Sequence, residues 1–155
     1  MFFGCEDEQI DQPAIAFYPD TAVEATEGDG VTYTVRLETT GIPANAGTIE
    51  FSVTNGAFLV TDPVIQNGSM TLSLEAGQTS TFFTIQVLED NIPANYEAKF
   101  EVTQVTGGLS GIANGTFTLF VSSLDLACPE ADQLERTDLS AARTQLGETL
   151  TIIGT

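Results

Sequence analysis

Glu89-Asp90-Asn91, closed by Pro93, sets two carboxylates and an amide at a point where the chain must turn. Oxygen ligands shown on a rigid scaffold suit a hard cation. They do not suit acid–base catalysis. Glu89 and Asp90 are neighbours in sequence, and adjacency does not oppose two acids across a bond. The chain has no histidine, so the commonest general base and the commonest transition-metal ligand are both missing. No nucleophile has a base beside it, and the sequence reads as non-enzymatic.

Charge narrows the partners. Asp and Glu number 22 against 4 Lys and Arg, a formal net charge of -18 over 155 residues. Such a surface repels phosphate backbones, which argues against nucleic acid as a partner. It suits cation binding, a secreted or surface location, or solubility alone. No run of about 20 apolar residues is present to cross a bilayer as a helix.

The elements that must hold the acidic corner alternate with a period of two. Met70, Leu72 and Leu74 alternate with polar residues, and Glu75-Ala76-Gly77-Gln78 makes a turn. Phe83, Ile85 and Val87 follow, then the corner, then Ala98, Phe100 and Val102. Residues 69–105 therefore read as three strands, each with one face in a core and one in water. Upstream, residues 13–18 form a first strand that Pro19-Asp20 breaks and residues 21–25 resume. Glu27-Gly28-Asp29-Gly30 is a tight turn. Val31, Tyr33, Val35 and Leu37 give another half-buried strand, and Ile49, Phe51 and Val53 another inward face. Residues 58–60 read as a brief edge strand, residues 106–115 as a Gly-rich loop, and Phe117, Leu119 and Val121 as the last inward face. The expectation is all-β: an immunoglobulin-like Greek-key β-sandwich of seven or eight strands over residues 13–126. Phe82, Phe120 and Tyr18 fall at outward positions and could form a contact patch; glycan binding would need such aromatics to line a groove.

The ends read differently. Phe2-Phe3-Gly4-Cys5 resembles the end of a bacterial lipoprotein signal, in which Cys5 is acylated, although the usual apolar stretch of 7–15 residues is cut to Met1–Phe3. Glu6-Asp7-Glu8 resembles the acidic tether that carries some Gram-negative lipoproteins to the outer face of the outer membrane. A disulfide between Cys5 and Cys128 is the competing use of that thiol. Residues 127–155 read as a linker with a weak helical cast and a partial strand at Leu150–Ile153. That strand is similar to the opening of a second immunoglobulin-like domain, or it adds to a sheet edge. Asn67-Gly68-Ser69 and Asn114-Gly115-Thr116 fit the N-glycosylation pattern, but Asn-Gly is first a turn signal.

Taken together, Glu27-Gly28-Asp29-Gly30 with the following VTYTVRL, then GTIEFSV, SMTLSLEAGQTSTFFTIQVLEDN and EAKFEVTQV, resemble a Calx-beta domain. This is the sandwich found in sodium–calcium exchangers and many bacterial surface proteins. The resemblance covers residues 14 to about 125. It implies a calcium site at one end of the sandwich, with Glu27, Asp62, Glu89, Asp90, Glu97 and Asp125 at the matching ligand positions. Calcium takes 6–8 oxygens, so several loops must contribute. The chain departs from the pattern where Ile92-Pro93-Ala94-Asn95-Tyr96 replaces further acids, and in ending on Ser122-Ser123-Leu124-Asp125. The resulting expectation is a spacer or adhesion module of a surface lipoprotein, anchored to the outer membrane through Cys5 and facing other surface or membrane proteins. The alternative is an accessory subunit of a surface complex, docking by an edge strand or the C-terminal tail.

Overall fold

Side chains that alternate in sequence stand on alternate faces of each strand, and the inward faces meet in two stacked sheets. The computed structural model describes residues 13–19 and 21–125. It holds β1 (Ala14–Phe17), β2 (Ala22–Thr26), β3 (Thr32–Thr39), β4 (Gly47–Thr54), β5 (Leu59–Asp62), β6 (Ser69–Leu74), β7 (Ser80–Val87), β8 (Tyr96–Gly107), β9 (Gly111–Asn114) and β10 (Thr116–Ser122). One sheet runs β5-β7-β3-β1-β9 and the other β2-β10-β8-β4-β6. Among the described residues there is no helix.

The expected immunoglobulin-like β-sandwich forms, with ten strands among the described residues where seven or eight were expected. The broken first strand accounts for one of them. β1 pairs with β3, with Phe17 opposite Leu37, whereas β2 pairs in parallel with β10 in the other sheet, with Val23 opposite Leu119. Proline has no N–H for a ladder, so Pro19 lets the chain leave one sheet for the other. The expected Gly-rich loop supplies another: β8 extends to Gly107, and Gly111–Asn114 pairs in parallel with β1. Gly107 is required where it stands. Its φ is +71°, and a Cβ there would lie 2.2 Å from the Ala46 carbonyl oxygen, where β8 crosses the start of β4.

The three strands of residues 69–107 do not lie side by side. β7 belongs to the first sheet, while β6 and β8 flank β4 in the second. Their inward residues face each other across the interior. Phe17 and Phe83 come from one sheet, and Phe51, Phe100 and Phe117 from the other, all essentially buried. Ring centroids lie 5.2 Å apart for Phe83 and Phe100, 5.7 Å for Phe17 and Phe117, and 5.8 Å for Phe51 and Phe83. These tilted contacts are the favourable aromatic geometries.

Phe82 and Phe83 test the alternation directly, since they are 62% and 0% exposed. Phe83→Ala should cost about 3–5 kcal/mol in urea unfolding, the range for losing a large core aromatic. Phe82→Ala should stay within about 0.5 kcal/mol, as surface substitutions do.

Candidate cation site at one end of the sandwich

β2 ends at Thr26, opposite Ser122 of β10, so Glu27 continues alongside the chain as it leaves the last strand. The Glu27 N–H donates to the Ser122 carbonyl at 3.1 Å. Its side chain turns inward and is 1% exposed. An ionised carboxylate in that position requires hydrogen-bond donors. The Leu124 N–H donates to Glu27 Oε1, and the Ser123 hydroxyl lies 2.8 Å from the same oxygen. That hydroxyl is also 2.9 Å from the Ile92 carbonyl, and the Ser123 N–H donates to Asn95 Oδ1 at 2.9 Å. The end of β10 is thereby tied to both the β2 exit and the β7–β8 corner.

Asp90 sits in that corner. Its Oδ1 accepts the Ile92 N–H at 2.8 Å, a turn that leaves Asn91 at φ 59°. The structure brings Glu27, Asp90 and Asp125 together: one carboxylate oxygen from each lies within 4.8 Å of the others. Oxygens on opposite sides of a bound calcium are separated by roughly 4.6–5.2 Å, twice the calcium–oxygen distance. Three oxygens so placed fit one such ion, and the donor set is all hard oxygen. The described basic side chains lie elsewhere: Arg36 pairs with Glu38 at 2.9 Å and Lys99 with Glu101 at 3.3 Å.

The other expected ligands are placed differently. Glu89 is exposed and lies over the turn, with its Cβ 3.4 Å from where a Gly28 Cβ would be. Asp62 is opposite Thr84, three residues back along β7 from Val87, or about 10 Å from the strand end. Glu97 is opposite Phe120 and faces outward, because Tyr96 and Ala98 on either side of it turn inward. Neither Asp62 nor Glu97 belongs to the three-carboxylate group. Cys5 lies outside the described residues. Asp29 serves its own turn, accepting the Val31 N–H and the Tyr33 hydroxyl, each at 2.8 Å. These two donors hold its carboxyl below the usual range.

Tyr96, Ser123 and Asn95 are the parts that sequence reasoning missed. Tyr96 stands in the stretch where acids were expected, yet it shares the inward parity of Ala98 and Phe100. Its hydroxyl is buried and has no hydrogen-bond partner among the described residues. Burial pushes this phenol above its ordinary value, and the charges of Asp90 and Glu27 push it the same way.

No family model and no curated protein matches this chain. Solved structures do. The apo Calx CBD1 domain superposes with a TM-score of 0.57 at 16% identity, covering 74% of this chain and 100% of that one. The chain has the Calx CBD1 fold. A calcium-binding CBD12 of CALX1.1 follows at 0.54 and 18%, over 72% of this chain and 45% of that one. A two-domain protein of unknown function from Bacteroides fragilis gives 0.52 at 9% identity, over 72% of this chain and 46% of that one.

Tyr96 gives the site a pH signature. Its folded pKa is raised, so above pH ~10 the unfolded chain releases this proton first. Stability should fall from that pH until the folded phenol also ionises. Tyr96→Phe should reduce this alkaline loss in urea titrations run at successive pH values, leaving the part that the raised Tyr33 phenol contributes.

Proposed function

We propose that this chain is a non-enzymatic surface module whose sandwich end takes one calcium ion between Glu27, Asp90 and Asp125. The observation that carries the reading is the approach of these three carboxylates to within 4.8 Å. They come from the exit of β2, the corner after β7 and the chain beyond β10, so an ion among them would bridge both sheets. It would offset their mutual repulsion and stiffen the point where the chain leaves the sandwich. Carbonyl oxygens such as that of Ile92, together with water, would complete the shell. On this reading the module serves as a spacer or adhesion domain, held at the outer membrane through Cys5. The resemblance of its N-terminus to a lipoprotein signal supports that location.

With three carboxylates the affinity should fall in the millimolar range of extracellular modules. Calcium at ten times its Kd then stabilises the fold by about 1.4 kcal/mol, or raises Tm by about 5 °C. Asp90→Asn with Asp125→Asn should remove the shift without unfolding the protein. An unchanged melting curve and no heat in calorimetry at several millimolar calcium would sink the calcium reading. Terbium supplies a second readout. Its emission should be sensitised by the neighbouring Tyr96 and lost in Tyr96→Phe, while the calcium-induced rise in Tm persists.

A further inference from the structure

The outer face of the first sheet carries a row of side chains that the cation site does not use. Arg36 on β3 is opposite Phe82 on β7, and the Tyr18 N–H donates to the Arg36 carbonyl from the other side at 3.1 Å. Tyr18, just past the end of β1, therefore shares one level of the sheet with Arg36 of β3 and Phe82 of β7. All three point outward, because Phe17, Val35, Leu37 and Phe83 are buried. Tyr18 is 54% exposed and Phe82 62%. Two strand-to-strand steps set their backbones about 9.5 Å apart. That spacing is of the order of one disaccharide repeat in an extended β-linked glycan.

We propose that this face is a platform for an uncharged, β-linked polysaccharide, with alternate sugar rings stacked on Tyr18 and Phe82. Spacing and charge both support the choice. A pyranose presents C–H groups on its flat face, which pack on an aromatic ring, and hydroxyls at its edge. The next level of the sheet offers hydroxyls to meet them, with Thr34 directly opposite Thr84. Arg36 and Glu38 add planar polar groups to the same face. They pair with each other at 2.9 Å, so the outward positions of β1, β3 and β7 carry no net charge in a chain of net charge -18, and the exposed Asp62 of β5, opposite Thr84, adds one carboxylate at the margin of the face. A neutral ligand matches that cancelled charge, whereas a polyanion would meet the repulsion of the whole chain. The sheet fixes the two rings in advance, so little ordering is needed on binding.

The proposal stands apart from the calcium reading, and the test separates them by working in EDTA. The full chain is incubated with suspended microcrystalline cellulose and, in parallel, with powdered chitin, and the protein left in solution is measured. Depletion by at least one of the two is expected. Tyr18→Ala and Phe82→Ala should each weaken adsorption about tenfold, the order for one lost ring contact. Phe120→Ala, on the opposite sheet, should adsorb like the parent. Phe82→Tyr should retain binding, which distinguishes a stacking ring from a fold defect. Absence of adsorption to both glycans overturns the proposal, as does undiminished adsorption of the Tyr18→Ala/Phe82→Ala double variant.

Discussion

Two apolar sheet faces closing on five phenylalanines is the constraint on which this molecule rests. Phe17 and Phe83 reach down from one sheet, and Phe51, Phe100 and Phe117 reach up from the other. Each ring touches rings of the opposite layer at 5.2–6.5 Å. Aromatic area of this size dominates the burial term, and interiors packed to crystal density resist displacement. Strand ends growing from such a core are therefore fixed in position, whatever polar groups they carry.

That rigidity is what allows a carboxylate to sit at 1% exposure on Glu27. Its position is imposed by the parallel pairing of β2 with β10, which runs to Thr26 and Ser122. The donors it needs come from the residues just after that pairing, the Ser123 hydroxyl and the Leu124 N–H. Asp90 and Asp125 add charge at the same spot. Burial first, and then the charges of Asp90 and Glu27, raise the Tyr96 phenol beside it. Asp29, only two residues from Glu27, takes no part, because the Val31 amide and the Tyr33 hydroxyl hold it in its own turn. Proximity in sequence to the site is a poor guide to membership in it.

Much of the fold was legible because the period of two is strict. Phe82 and Phe83 were assigned to opposite faces from alternation alone, and the split at Pro19 was visible as a break in the first strand. Less legible was the fate of weakly patterned segments. Gly111–Asn114 has no alternation to advertise a strand, and it becomes one only because β1 offers an open edge. The acids show the same limit. The Calx-beta resemblance implies Asp62 and Glu97 as ligands. Even so, one lies three residues down its strand and the other faces away from the interior. Tyr96 carries a usable signal in its parity with Ala98 and Phe100, although it brings no carboxylate to the site.

Sequence alone determined which residues face inward, because the geometry of an extended chain puts successive side chains on opposite sides whatever the strand's neighbours are. It also determined the chemistry on offer: oxygen ligands in excess, no imidazole and few cations. Only the tertiary structure decided which acids meet. Glu27, Asp90 and Asp125 are separated by most of the chain, and the order in which β2, β7 and β10 are laid into two sheets sets their spacing. The same holds for the row of Tyr18, Arg36 and Phe82. Each outward position is a local property, but their shared level depends on cross-strand register, which arises only when separate strands pair.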